Sequence, residues 1–227
     1  MVKIQYQFKR TTALRFLSHL DQQRLFQRAF RRADIPVEYS QGFNPHPRMS
    51  FALAMSVGLT SDSEYGEVIV SEDIDVAAFI SRMNQVLPGG LEITSAKICG
   101  EKAISLSASL CKSVYRIRIT VVAGTDLKAL SQIIDIYLEQ PQILMLKRNK
   151  KGKFVEKDIR PYIEAIAVFA DPEKDKCNVT MTLRYIEQQC VKPEQVLDSL
   201  NNQNSQLFLI DPTIEIHRQE LLLEADA

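Results

Sequence analysis

A chain of 227 residues, 45% hydrophobic and 25% charged, has enough apolar material for one large domain or two of about 100 residues each, which excludes global disorder. Eight Gly and nine Pro exclude a collagen-like or linker composition, and no stretch approaches the roughly 18 consecutive apolar residues of a membrane helix. The 28 basic and 28 acidic residues cancel, but neutrality conceals an alternation: residues 1–50 hold nine basic and three acidic residues, 51–110 three and eight, 111–170 eleven and six, and 171–227 five and eleven.

Basic-then-acidic, twice over, indicates a chain built from two similar halves, and the predicted elements repeat in the same order. Val2 to Arg10 alternates polar and apolar residues as a strand and lacks the apolar core of a secretory signal, so a cytoplasmic protein is expected. A helix follows over Ser18 to Ala33, then strands over Arg48 to Ser56 and Tyr65 to Val70, a helix over Val76 to Val86 and a strand over Leu91 to Ile98. In the second half a β-branched strand spans Val114 to Val122 and a helix Asp126 to Glu139. A hairpin over Glu164 to Ala170 and Asn178 to Tyr185, a helix over Pro193 to Leu200 and a strand over Ile214 to Leu222 complete it. Both halves read βαββαβ. The expected class is α+β, two tandem ferredoxin-like domains whose antiparallel sheets carry their helices on one face. Gly100 to Lys112, rich in Ser and Ala, is the natural linker, dividing the chain into residues 1–108 and 109–227.

Ser18 and Asp21 have the spacing of a helix-capping pair. Behind them Phe26, Ala29, Phe30 and Ala33 form an apolar stripe, while Arg24, Arg28, Arg31 and Arg32 recur along the opposite side. No acid follows Asp21 until Asp34, so the arginines lack the i,i+4 partners of an ordinary solvated face, and guanidinium groups suit phosphate contacts and base stacking. Each half then has a longer insertion between its first helix and second strand. In Tyr39-Ser-Gln-Gly-Phe-Asn-Pro-His-Pro-Arg48, two prolines stiffen a loop that presents Phe43, Asn44, His46 and Arg48. The plain alternative is a rigid brace between helix and sheet. The second insertion contains Lys147-Arg148-Asn-Lys150-Lys151-Gly-Lys153, a cationic hairpin turn, and ends near Arg160 in Asp158-Ile-Arg-Pro-Tyr162. Cys99, Cys111, Cys177 and Cys190 stand 12, 66 and 13 residues apart with no metal-ligand spacing, so no metal or other cofactor is expected.

Arg15-Phe-Leu-Ser-His-Leu-Asp21, Arg28-Ala-Phe-Arg-Arg-Ala33, the Tyr39 to Arg48 loop, Ser50-Phe-Ala52, Val57-Gly58, Glu64-Tyr65 and Asp158-Ile-Arg-Pro-Tyr162 together resemble the uncharacterised bacterial "radical SAM-linked" proteins, which occur free-standing or fused behind a radical SAM domain. The resemblance covers nearly the whole chain and implies a radical SAM enzyme as partner rather than a reaction. The chain itself has no CxxxCxxC cluster motif. Paired ferredoxin-like domains with basic insertions are also similar in architecture to the CRISPR repeat-processing RNA-binding proteins. Their glycine-rich loop has no counterpart here, because Gly is absent after Gly152.

Two readings from different classes follow. In the first, a non-catalytic accessory protein binds structured RNA or presents substrate to a radical SAM enzyme, using Arg15, Arg24, Arg28, Arg31, Arg32, Phe43, Asn44, His46, Arg48, Lys147, Arg148, Lys150, Lys151 and Arg160. In the second, the protein is a metal-independent ribonuclease with His19 or His46 as general base and Arg15 or Arg48 stabilising the pentacoordinate phosphate. A protein–protein adaptor without nucleic acid is the remaining alternative. The first reading is the expectation, with no catalysis by the protein alone.

Overall fold

The computed structural model describes residues 1–100, 103–148, 152–204 and 206–224. The fold is α+β, with long antiparallel strands and few helices. The chain forms two compact units: residues 1–110 with 218–227, and residues 111–217. The C-terminal strand therefore begins in the second unit and ends in the first, which one cut of the chain does not capture.

The first unit contains β1 (Val2–Arg10), α1 (His19–Arg32), β2 (Met49–Phe51), β3 (Leu59–Val70), α2 (Val76–Val86), β4 (Leu91–Cys99) and the single turn α3 (Leu106–Ser109). Strand β1 is central, antiparallel to β3 on one side and to β4 on the other. Its alternation is realised residue by residue: Ile4, Tyr6, Phe8 and Arg10 are buried. Tyr6 is ringed by Phe26 and Phe30 of α1 and Phe79 of α2, with centroids 5.7, 6.1 and 5.9 Å away, so both helices pack against the same face of the sheet. Tyr6 pairs directly with Gly66 across β1 and β3. A Cβ at Gly66 would lie 2.4 Å from Tyr6 Cζ, a clash that only glycine avoids. Helix α1 starts at the expected place because Ser18 Oγ accepts the Asp21 N–H at 3.2 Å and donates to the Asp21 carboxylate at 2.6 Å. Strand β2 is shorter than Arg48 to Ser56, and β3 begins at Leu59, six residues before the expected Tyr65. The first difference traces to Arg10. Its buried guanidinium donates to the carbonyls of Leu17, Ser56 and Leu59 at 3.1, 2.9 and 2.8 Å and to Gln22 Oε1 at 3.0 Å, which bends residues 52–58 away from extended geometry.

In the second unit β5 (Leu110–Val121) is followed by α4 (Leu127–Glu139), the ribbon β6 (Leu144–Arg148) and β7 (Phe154–Asp158), then β8 (Ile163–Ala170), β9 (Lys176–Arg184), α5 (Pro193–Gln203), β10 (Phe208–Leu209) and β11 (Glu215–Leu223). Here β9 lies between β5 and β8, and β10 pairs with β5. The core is aliphatic, with Ile117, Leu130, Ile134, Val179, Leu197 and Leu200 at 0–1% exposure. The two units share a fastening. Asn84 of α2 grips Ile93 of β4 through both amide groups at 2.9 and 2.8 Å, and Asn201 of α5 grips Phe208 of β10 likewise at 2.8 and 2.9 Å. The expected linker is not a simple connector, since Leu106 and Leu110 are buried and β5 starts within it.

Residues Arg218–Leu223 run beside the first half of β3, where Arg218 makes a buried ion pair with Glu64 and the Leu221 N–H meets Ser63 Oγ at 3.4 Å. Both side chains are almost fully enclosed, at 3% and 2% exposure. Breaking such a pair from one side leaves an uncompensated buried charge, so Glu64→Leu should lower stability by about 3–5 kcal/mol, whereas Glu64→Leu with Arg218→Met should recover a large part of that loss in urea unfolding. In the second unit Arg118 holds Asp171 with two hydrogen bonds of 2.9 and 3.1 Å. This contact, the Glu173 N–H and Asn178 hold the Asp171 carboxyl well below the usual carboxylate range. A depressed folded pKa contributes stability above the unfolded value of about 3.9 and loses it as pH falls through the folded one. Arg118→Met should therefore unfold at lower urea than the parent at pH 7, and the difference should shrink as the pH drops below about 4.

Candidate nucleic-acid interface

The aromatic packing of Phe26 and Phe30 fixes the rotation of α1 about its axis. With Gln22, Phe26, Ala29 and Phe30 turned inward, Arg24, Arg28, Arg31 and Arg32 are all exposed, as the periodicity predicts. They do not form one equivalent set. Arg24, Arg28 and Arg32, successive at i+4 and so about 6 Å apart along the axis, line a groove of about 340 Å³ whose apolar walls include Leu25, Val86 and Pro88. Arg31 is not part of the groove's lining. The only carboxylate on the wall is Asp21, which stands 3.4 Å from Arg24 and is already engaged by Ser18. The groove thus offers a row of guanidinium groups over an apolar floor. That suits a chain of anionic groups carrying flat apolar parts.

The proline-rich segment is a small hairpin at the edge of the sheet. Tyr39 and Pro47 form a bridge, the Ser40 N–H donates to the His46 carbonyl at 2.9 Å, and the His46 N–H donates to Ser40 Oγ at 3.0 Å. At its base the Arg48 N–H donates to the Glu38 carbonyl, and Glu38 and Arg48 both bond the main chain of Ile69. The tip turns at Gly42, whose φ of +136° favours glycine. No side chain of Phe43, Asn44, His46 or Arg48 takes part in these main-chain contacts, and all four are exposed, Phe43 completely. Arg48 rests one Nη 3.6 Å from Met1 Sδ.

His19 opens α1 with its ring edge-on to Phe51 at 5.9 Å. Its Nδ1 is buried without a hydrogen-bond partner, and burial lowers its pKa. It is a packed residue with no acid orienting it. Arg15 lies over the exposed ring of Phe16 at 4.6 Å, and its carbonyl accepts the Gly58 N–H at 2.7 Å. Arg10, Gln22, Glu64 and Arg218 are buried polar residues of this unit, and the sequence assigned none of them a role. Burial lowers the Arg10 pKa, with Glu64 opposing and Arg218 adding to the shift.

In the second unit Lys147 and Arg148 end β6, and Arg148 Nε donates to the Gly152 carbonyl at 3.1 Å. Lys150 and Lys151 lie outside the described residues. Arg160 is occupied otherwise: its Nε donates to the Leu138 carbonyl at 2.9 Å and an Nη to the Ile163 carbonyl at 2.7 Å, tying α4 to the start of β8. It is not the counterpart of the exposed Arg48. The ribbon also exposes Leu144, Leu146, Phe154 and Val155, which sequence reading passed over because five cations in seven residues dominate the segment. Among the described residues no three His, Cys, Asp or Glu side chains stand close enough to hold a metal ion. The four cysteines are free thiols, and burial, then the Asp171 charge, pushes Cys177 up to about 12. No helix among the described residues is long and apolar enough to cross a membrane.

Comparison with curated proteins finds no match. A family model described as an uncharacterised protein conserved in bacteria, DUF2344, matches residues 3–193, a span that includes α1, both hairpins and the start of α5. With most of its length matched, the chain belongs to this bacterial family.

Proposed function

We propose that this protein binds RNA without catalysing a reaction of its own, and presents it to a radical SAM enzyme in the cytoplasm. The observation that carries the RNA part is the groove of Arg24, Arg28 and Arg32, three guanidinium groups at regular helical spacing with a single, already engaged carboxylate among them. The partner is inferred from the likeness of the Arg15 to Asp21, Tyr39 to Arg48 and Asp158 to Tyr162 segments to the radical SAM-linked proteins. In this reading each unit is a ferredoxin-like domain. The strand order β2-β3-β1-β4 with α1 and α2 on one face supports it in the first unit, and the repeated asparagine grip of α2 and α5 supports a duplication. A helix pair on one side leaves the arginines of α1 on an outer surface, where a long polyanion has access.

Binding led by phosphate contacts releases counterions, so the affinity of the protein for a structured RNA should fall with salt with a log–log slope of several units, and Arg28→Gln should reduce that slope by about one. A salt-independent affinity, or no association at about 50 mM salt, would contradict the proposal. The hairpin at Tyr39 to Arg48 is held by main-chain and Ser40 contacts, so His46→Ala with Arg48→Ala should leave the melting temperature nearly unchanged while weakening RNA binding about tenfold, or 1.4 kcal/mol. A fall of several degrees in melting with unchanged binding would make that loop a brace.

A further inference from the structure

Strand β8 closes one side of the second unit's sheet: β9 pairs along it, and among the described residues no strand lies on its outer side. Its eight residues, Ile163-Glu-Ala-Ile-Ala-Val-Phe-Ala170, contain one charge and no proline. Its register shift against β9 lies at the start, between Ile163 and Ala165, and from there to Ala170 the pairing is regular. The outer edge therefore presents an ordered row of main-chain N–H and C=O groups. Ile166 is buried, while Ala165, Ala167, Phe169 and Ala170 are exposed, Phe169 at 54%. The edge of the first unit is guarded differently. There β4 carries Glu92 and Lys97 and meets β1 with a register shift between Gln7 and Phe8, devices that discourage pairing with another chain. Between Ala165 and Ala170, β8 has none of them.

An open strand edge fixes the chemistry of its occupant, since donors and acceptors at strand spacing are matched by the main chain of another extended strand. The side chains select which strand. Antiparallel copies of β8 related by a twofold axis at Ala167 pair positions equally far on either side of it. Ala167 then faces Ala167, and Phe169 of each copy faces Ala165 of the other, so that each large ring on the exposed face meets a small neighbour. On the opposite face Ile166 meets Val168. The same pairing brings Glu164 near the second copy's Asp171, but each acid is already matched within its own chain. Glu164 accepts Lys112 Nζ and Arg184 Nε at 3.0 and 2.7 Å, and Asp171 accepts two hydrogen bonds from Arg118 at 2.9 and 3.1 Å. These cations hold both carboxyls below their usual range. From Ala165 to Ala170 the edge offers no charge that would select a charged foreign strand.

We propose that this protein forms a twofold dimer by antiparallel pairing of β8 with the β8 of a second copy, centred on Ala167. The inference does not depend on RNA binding. The test is analytical sedimentation of the full chain from about 1 to about 100 μM, using the parent, Ala167→Lys and Ala167→Glu. The parent should pass from monomer to dimer across that range. Each variant alone should stay monomeric, because like charges then face each other across the axis. Ala167 is exposed, so the melting temperature of both variants should match that of the parent monomer. An equal mixture of the two variants should dimerise again, since lysine then faces glutamate, a rescue that another contact surface would not give. Independently of any substitution, amide exchange of residues 165–170 should slow when the parent is concentrated. A parent that stays monomeric at about 100 μM would overturn the proposal and leave the edge to a strand of another protein. A dimer that neither variant disturbs would place the contact on another surface and overturn it. So would variants that are monomeric alone and fail to associate when mixed.

Discussion

The ring of Tyr6 lies across Gly66, and the first unit is arranged around that contact. Without the missing Cβ, which would come within 2.4 Å of the ring, Tyr6 could not lie flat enough on the sheet to receive Phe26, Phe30 and Phe79 together. Its hydroxyl is buried without a partner, and burial, reinforced by the Glu67 charge, raises its pKa. Enclosing that oxygen costs stability, which the surrounding aromatic contacts offset. The benefit is positional. Two phenylalanines one helical turn apart, locked on one tyrosine, leave α1 no freedom to roll, and the guanidinium row on its far side is fixed by default. The same constraint separates Arg24, Arg28 and Arg32, which line the groove, from Arg31.

Buried cations complete the frame. Arg10 gathers the turn before α1, the helix itself and the loop before β3 through four hydrogen bonds, so the segment bearing Arg15 and His19 is held from beneath. Arg218 performs a related task on the last strand through Glu64. These two arginines are structural, unlike the exposed ones of α1, and the difference is burial rather than chemistry. It follows that the positive charge of residues 1–50 is not all available to a ligand.

Much of this was legible in the sequence. The alternation from Val2 to Arg10, the Ser18–Asp21 cap, the stripe of Phe26, Ala29 and Phe30, and the helix from Val76 to Val86 each rest on local periodicity or capping, and local rules suffice for them. What stayed hidden depends on distant partners. Arg10 ends an alternating strand and gives no sign that four acceptors from residues 17–59 will converge on it. Strand β3 reaches back to Leu59 because Arg218–Leu223, some 150 residues later, run alongside it. Leu106 and Leu110 sit in a stretch of Ser and Ala whose composition reads as linker, yet both are buried. Arg160 and Arg48 look equivalent at the ends of two insertions, but the carbonyls of Leu138 and Ile163 claim the first while the second faces solvent. In the ribbon, charge obscured the apolar residues, because Leu144 and Leu146 stand directly before five cations in seven residues.

The account turns on the arginine row of α1 meeting RNA phosphates. It is tested most directly by reversing the row, Arg24→Glu with Arg28→Glu and Arg32→Glu, and titrating a structured fluorescent RNA at about 50 mM salt. The three side chains are exposed, so circular dichroism and melting should match the parent. RNA affinity should fall by about a hundredfold or more. A folded triple variant that binds RNA as tightly as the parent would contradict the account.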